Sequence, residues 1–323
     1  MALTQVLEIA ELLDRPDAGA ELVRNLFSER GIGGIEIERV RSKRGSTSFI
    51  KLLVPGIRGR SAGGSAPTLG IVGYLGGVGA RPNRIGLVSD SDGAIAALAA
   101  GLKLADMHRH GDRLQGDVIV TTHISPASPI IPHEPVPFMS SPLQMSQMNR
   151  RLVDSRMEAL LSIDATKGNR IINARGFAIS PTVKEGYILR VSEDLMAIQY
   201  HVTGRMPSVF AITTQDITPY GNGLFHLNSI LQPATATDAP VVGVAITSEA
   251  VVPGSATGAN QEIDIELAAR FSVEVAKSFG EGTARFYDHA DFARMVRLYG
   301  PMKHLQALGR GASCLRRRRG AKS

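Results

Sequence analysis

Asp90, His123 and Asp164 are each expected at the end of a strand; His123 and Asp164 follow short apolar runs of the sequence. Because the carboxyl ends of parallel strands meet at one edge of a sheet, we expect these side chains to converge there. One histidine and two carboxylates can bind a single divalent metal such as zinc or manganese, or serve as a general acid and base. The sequence therefore predicts a catalytic or metal site at these residues, with a site that holds no metal as the alternative.

Each member of this set also has a purely structural interpretation. Asp90 and Asp92 open an alanine-rich segment and can cap a helix, where carboxylates are favourable to the helix dipole. His123 can be a hydrogen-bonded histidine at a strand end. His133 and Glu134, in a proline-rich loop, are either further ligands or ordinary loop residues.

Two polar stretches supply candidate contacts to a substrate. Lys167 and Arg170 follow the third apolar run and can clamp a carboxylate, which arginine binds in bidentate fashion; a solvated loop is the alternative. A glycine-flanked stretch further along the chain adds four candidates, which are Asp216, Tyr220, Asn222 and His226. Turn formation and capping are the alternatives for those four.

The hydrophobic patterns predict the elements that must position these side chains. The expected helices cover about residues 4–14, 18–30, 91–110, 192–203, 261–279 and 288–308, with Thr4 as the first N-cap. The expected strands cover residues 35–40, 48–54, 69–72, 118–120, 160–163, 187–191, 209–213 and 241–246. Short apolar strands between helices are typical of a three-layer α/β/α protein with a mostly parallel or mixed sheet.

The chain shows neither an internal repeat nor an obvious linker, so we expect one domain over residues 1–308. Its formal charge of +6 comes from residues 309–323, which hold six of the 36 basic residues and no acid. We expect this segment to be a disordered, solvated tail. With no aromatic interleaving and no nucleic-acid fold signature, the arginine run does not indicate specific binding to nucleic acid.

Composition also bears on location. No window approaches the 18 or so unbroken apolar residues that a membrane span requires. The first residues lack the pattern of a secretory signal, and Cys314 is the single cysteine, which excludes a disulfide within the chain. We therefore expect a cytoplasmic protein without a membrane span. The oligomeric state is left open, a homo-oligomer included.

Six blocks of the sequence carry a family resemblance. They are Gly45–Lys51, Gly79–Pro82, Val88–Ala94, Asp164–Asn173, Ser180–Tyr187 and Asp216–Gly223. Over about residues 3–300 the chain closely resembles an uncharacterised bacterial family, domain of unknown function 1177. That resemblance implies no particular activity.

The order of the parts is also distantly similar to the cocatalytic zinc aminopeptidases of the glutamyl and deblocking type. This similarity implies a zinc-exopeptidase-like (phosphorylase/hydrolase-like) α/β fold, with Asp90 at the position of the metal-bridging aspartate and Asp164 at that of a ligand. The dimerisation domain that those enzymes insert is missing, because only residues 80–89 separate the two motifs.

Most of the remaining ligand positions of those enzymes are changed. Tyr74 takes the place of the first histidine, Gly76 and Gly77 take the place of the adjacent acids, and the last histidine falls near Gly254. The Glu-Glu pair, expected near His123, is absent. A dizinc site needs several converging ligands for each metal, so the resemblance implies at most one metal.

The sequence thus predicts a hydrolase-like enzyme that acts on a small amide, peptide or amino-acid derivative. Asp90, His123 and Asp164 would hold the metal or act as acid and base, while Lys167, Arg170, Asn222 and His226 would contact the substrate. The alternative is a non-catalytic protein that binds a small ligand or a partner on a peptidase-like fold. Whether the chain is an enzyme at all stays open at this point, because fold alone does not imply function.

Overall fold

Helices and strands make up a computed structural model that describes residues 1–74, 76–82, 86–251, 256 and 258–309. The helices are α1 (Leu3–Asp14), α2 (Ala20–Glu29), α3 (Asp92–Arg109), α4 (Met145–Leu152), α5 (Glu193–Thr203), α6 (Glu262–Glu281) and α7 (His289–Tyr299). The first six strands are β1 (Glu36–Ser42), β2 (Gly45–Val54), β3 (Leu69–Gly73), β4 (Val118–Ile124), β5 (Ile130–Ile131) and β6 (Phe138–Met139). The other five are β7 (Ala159–Ala165), β8 (Gly176–Ile179), β9 (Val183–Lys184), β10 (Tyr187–Ile188) and β11 (Val241–Thr247).

Nine of these strands form one mixed sheet, in the order β1-β2-β4-β3-β7-β11-β9-β10, with β8 also paired to β11; β5 and β6 pair with each other apart from it. The four central strands β4, β3, β7 and β11 run parallel, whereas the outer strands pair antiparallel. The central strands are buried along their length, as expected for parallel strands covered on both faces. Their carboxyl ends therefore meet at one edge of the sheet.

The two faces of the sheet are covered differently. Helices α1, α2, α3, α5 and α6 pack in the larger hydrophobic cluster on one face. The other face is covered by α4 and by irregular segments, including a short 3₁₀ turn at Gln232–Thr235. This mixed sheet with flanking helices confirms the predicted α/β fold class.

Three predicted elements differ from the structure. Residues 209–213 form no strand, and within them Val209 makes only an isolated bridge, to Ile179. The strands that pair with β11 on this side are β8 and β9 instead. The last helix ends at Tyr299 because Gly300, with φ of 80°, and the following proline stop it. The first helix begins at Leu3, so Thr4 lies inside it and does not cap it.

Two further predictions concern the ends of the chain and its membrane association. The predicted basic tail, with Cys314, lies outside the described residues from position 310 onward. None of the helices in the described ranges combines the length and the apolar character that crossing a bilayer requires. The extent of the domain, residues 1–308, stays a prediction.

A close approach at Gly93 sets the distance between α3 and the sheet. A Cβ at this position would lie 2.4 Å from the carbonyl oxygen of Ile163 and 2.9 Å from that of Tyr74. Both contacts are with backbone atoms that cannot rotate away. The first turn of α3 can therefore rest against the ends of β3 and β7 only because residue 93 has no side chain.

We expect Gly93→Ala to lower the free energy of unfolding by about 1–3 kcal/mol or more, the usual cost of forcing an extra carbon into a packed interior. Urea unfolding followed by circular dichroism measures it. Gly33→Ala is the matched control, because its Cβ would meet no atom within 4 Å. Equal stability of the two variants would contradict the close approach.

Candidate functional site

The start of α3 meets the carboxyl edge of the sheet, and this contact brings acidic side chains together. Asp90 lies in a short 3₁₀ turn at Ser89–Ser91, and Asp92 is the first residue of α3. Asp164 is the sixth residue of β7. Neither aspartate caps α3, since Asp92 lies inside the helix and its N-cap residue is Ser91, which makes no side-chain cap hydrogen bond. The capping alternative is therefore not what the structure shows.

Asp92 and Lys167 form a buried ion pair. The Lys167 ammonium donates a hydrogen bond to Oδ2 of Asp92, and the two residues are 5% and 0% exposed, respectively. The other carboxylate oxygen, Oδ1, accepts a hydrogen bond from the amide of Asn260. A buried charge is tolerated only when it is paired and hydrogen-bonded, and this carboxylate meets both conditions.

The backbone at Lys167 is left-handed, with φ of 54°. Non-glycine residues adopt this region at a cost of about 1–3 kcal/mol, and such residues cluster at functional sites. Here the backbone N–H groups of Thr166 and Lys167 both donate to the carbonyl of Ile246, at 2.8 Å each. These bonds to β11 hold the lysine in the conformation that reaches Asp92.

Asp164 is held by two hydrogen bonds. Its Oδ1 accepts from the N–H of Ala165 at 2.8 Å, and its Oδ2 accepts from the hydroxyl of Ser229 at 3.0 Å. Burial raises the pKa of Asp164 to about 7, and the charge of Asp92 adds to the rise. The two hydrogen bonds lower the pKa but do not offset the effect of burial. Asp164 therefore changes protonation near neutral pH.

Asp90 and Asp92 also hold protons more tightly than exposed aspartates. Burial, followed by the charges of Asp164 and Asp92, raises the pKa of Asp90 well above its ordinary value, and Lys167 opposes the rise. Burial raises the pKa of Asp92 to about 6 even though Lys167 lowers it. Burial thus raises the pKa of all three carboxyls, and only that of Asp164, at about 7, is placed near neutral pH.

His123 does not join this group. Its Nδ1 lies 2.8 Å from the hydroxyl of Thr47, and its ring centroid lies 5.7 Å from that of Phe49. Burial alone lowers the pKa of His123 to about 3, so the ring is neutral, and its buried Nε2 has no hydrogen-bond partner. This arrangement matches the alternative interpretation of a hydrogen-bonded strand histidine.

The other predicted contacts are exposed or bond within their own loop. Arg170 is exposed, as are His133 and Glu134. The amide of Asn222 donates to Thr218 at 2.7 Å, while the His226 ring stacks on Tyr220 with centroids 4.4 Å apart. Gly254, at the position of the last peptidase histidine, lies outside the described residues.

The irregular segment 213–229 contributes to the site Ser229, which the sequence did not predict, and Tyr220, which it did. Buried Asp216 organises it by accepting hydrogen bonds from the N–H groups of Thr213, Leu227 and Asn228. From this segment Ser229 contacts Asp164, and the pKa of Tyr220 is raised to about 12 by burial and then by the charge of Asp164. No sequence signal marks Ser229, whereas Tyr220 lies among the predicted candidates.

The donor atoms do not fit a metal centre of the peptidase type. Both carboxylate oxygens of Asp92 and both of Asp164 already accept hydrogen bonds from protein groups. The hydroxyl of buried Tyr74, in place of the first histidine, donates to Asn149 at 3.1 Å. In the described ranges no three side chains of histidine, cysteine, aspartate or glutamate are arranged to hold a metal ion, so Asp90, His123 and Asp164 are not brought together as the predicted metal ligands.

A model of the family described as "Protein of unknown function (DUF1177)" matches residues 38–309. No curated protein matches. A leucine aminopeptidase of Caenorhabditis elegans is similar in structure, with a TM-score of 0.49 and 16% identity over 85% of this chain and 67% of that chain. A glutaminyl cyclase from an Acidobacteriales bacterium has a TM-score of 0.50 and 11% identity over 87% of this chain and 94% of that chain.

The family match confirms the predicted family. The likeness to the cyclase, at this identity, is one of fold alone and agrees with the predicted α/β fold class.

The raised pKa of Asp164 predicts a pH dependence of stability. Its folded pKa of about 7 exceeds the value of 3.8 expected for an exposed aspartate, so the folded state binds more protons between these values. The stability that this group contributes is present below about pH 4 and is lost as pH rises toward 7, with a slope of at most about 1.4 kcal/mol per pH unit.

We expect Asp164→Asn to remove this slope, so that the variant gains stability over the wild type as pH rises from 4 to 7. Urea unfolding at pH 4 to 8 measures the difference. Ser229→Ala is the companion variant, because loss of its hydrogen bond raises the pKa of Asp164 further and extends the slope above pH 7. Parallel profiles for wild type and Asp164→Asn would contradict the assignment.

Proposed function

The chain belongs to the DUF1177 family, and we propose that it is a hydrolase-like enzyme that acts on a small amide, peptide or amino-acid derivative. In this proposal Asp90 and Asp164 are the acid and base, and no step depends on a metal. The peptidase-type fold is compatible with such chemistry but does not establish it.

The observation that carries the proposal is the pair of buried, interacting carboxyls. The pKa of each is raised, first of all by burial, and the charge of Asp164 raises that of Asp90 further. When two carboxyls interact in this way, one retains a proton while the other ionises. A protonated acid beside a carboxylate at neutral pH is what amide hydrolysis needs.

The reaction can be written with Asp164 as base and Asp90 as acid. The Asp164 carboxylate takes a proton from water as the water oxygen bonds to the carbonyl carbon of the substrate. Asp90 gives its proton to the amide nitrogen as the carbon–nitrogen bond breaks, which leaves a carboxylic acid and an amine. Transfer of the proton from Asp164 to Asp90 restores the starting state.

Neighbouring residues support these roles. Ser229 and the N–H of Ala165 fix the orientation of the Asp164 carboxylate. Lys167 is occupied by Asp92, so we assign it to positioning and not to the substrate carboxylate. Exposed Arg170, three residues later, remains the candidate for that contact, and Asn222 and His226 remain candidates from segment 213–229.

The second candidate function is a non-catalytic protein that binds a small ligand or a partner. The burial of the site favours it, since Asp90, Asp164 and Lys167 are only 7%, 4% and 5% exposed. A substrate must reach the carboxyls to react, whereas a binding protein can use the surrounding surface alone. The two functions differ in whether Asp164 is needed for turnover.

A panel of small amides, dipeptides and acylated amino acids, assayed for release of the amine, tests the proposal. We expect Asp164→Asn and Asp90→Asn each to lower kcat/KM by about 10²–10⁴-fold, the usual contribution of a general acid or base. Asp106→Asn, near the far end of α3, is the control and should retain activity.

Full activity of Asp164→Asn would overturn the acid–base assignment. Absence of turnover across the panel, together with ligands that raise the Tm of wild type and of Asp164→Asn alike, would favour the binding protein.

A further inference from the structure

We propose that helix α7 and the groove beside it form an interface at which two copies of this chain pair in antiparallel fashion across a two-fold axis. The groove has a volume of about 440 Å³ and lies between α7 and the segment 189–194, which leads into α5. The residues of this surface are not those of the candidate site, so the inference is independent of the proposed hydrolase activity.

Helix α7 has less support from its own chain than a helix of its length requires. None of its eleven residues, all of which the structure describes, is buried. Phe292 packs edge-on against Tyr187 and Tyr287, with ring centroids 6.0 Å and 5.7 Å apart. Because helices this short are marginal in water unless an apolar face is packed, we expect a further partner to cover α7.

The surface around α7 carries both an apolar protrusion and an apolar recess. Leu298 and Tyr299 protrude from the last turn of the helix and are 63% and 69% exposed. The recess lies beside half-buried Leu189, Val191 and Tyr287 in the groove. In a two-fold interface each copy supplies the same surface, so a protrusion and a recess on one surface can fill each other in a pair of copies.

The charges along α7 favour an antiparallel pair. Asp288 and Asp291 lie at the amino end of the groove side, and Arg294 lies one turn further along it. An antiparallel pair centred beside Phe292 sets Asp291 of each copy across from Arg294 of the other, and it also opposes the two helix dipoles. Such contacts at the rim of an interface select the partner and its orientation.

The contact that Asp291 makes within its own chain is no obstacle to this pairing. Its carboxylate accepts a hydrogen bond from the guanidinium of Arg190 at 3.4 Å, and both side chains are more than half exposed. An exposed ion pair of this kind contributes little to stability. Exchange of this pair for one across the interface therefore costs little.

The presence of both signs of charge favours a second copy over a partner of a single charge. Arg190, Arg285 and Arg294 line the groove together with four acidic residues. A nucleic acid would meet the acidic residues, and the basic segment 310–323 would meet the arginines. A second copy of the same surface offers an opposite charge to each.

Sedimentation of the full chain at about 1–100 μM tests the proposal, because interfaces of ordinary size have Kd values in the micromolar range or below. We expect wild type to form a dimer that dissociates on dilution. Leu298→Glu places a charge in the apolar contact, while Asp291→Arg and Arg294→Asp each set like charges across the axis. We expect each variant to weaken the association by at least about tenfold.

A mixture of the two charge variants gives the sharpest test. Alone, Asp291→Arg sets two arginines across from each other at each contact, and Arg294→Asp sets two aspartates. In an equimolar mixture each contact again joins an arginine to an aspartate, so we expect a heterodimer. Arg297→Asp is the matched control, since Arg297 is exposed on the same helix but outside the groove, and it should dimerise as wild type does.

Three outcomes overturn the proposal. A wild type that stays monomeric over this range would leave the groove to a different partner, such as segment 310–323 or another protein. Dimers that persist unweakened in Leu298→Glu, Asp291→Arg and Arg294→Asp would form through a different surface. A mixture that stays monomeric, although circular dichroism shows both charge variants folded, would contradict the antiparallel pairing. All three outcomes leave the hydrolase proposal to its own assay.

Discussion

The buried ion pair between Asp92 and Lys167 is the interaction on which the rest of the site depends. It joins the first residue of α3 to the segment after β7, and these two elements also provide Asp90 and Asp164. Since an unpaired charge at this depth would cost several kcal/mol, neither partner can move without the other. The pair thereby joins the two elements that carry these carboxyls, and its lysine adopts a left-handed backbone.

The sheet makes this pairing geometrically available. Four parallel strands end at one edge, and Gly93 lets α3 approach that edge more closely than any side chain would permit. The face opposite the main helical layer is covered largely by irregular chain, so Ser229 can reach Asp164 from a segment held by Asp216. Regular elements therefore set the positions of the acids, and irregular ones set their hydrogen bonds and burial.

The sequence predicts the positions of the acidic residues better than it predicts their hydrogen bonds and burial. The order of strands and helices follows from apolar periodicity, and the position of Asp164 at a strand end follows with it. The distance between His123 and Asp164 depends on the order of strands in the sheet, which apolar periodicity does not predict. Because β3 lies between β4 and β7, two strand spacings, about 10 Å, separate the backbones of the two residues. The burial of Lys167 is equally invisible in sequence, because a polar run after a strand is typical of a solvated loop.

Tyr74 shows that a residue directly after a central strand can serve packing in place of chemistry. Its side chain is fully buried in the hydrophobic cluster on the face away from the main helical layer, and its hydroxyl is satisfied by Asn149. It therefore contributes packing where a histidine ligand would contribute a lone pair. The larger hydrophobic cluster lies between the sheet and its main helical layer and includes none of the acidic residues. The residues that stabilise the fold are therefore different from those of the candidate site.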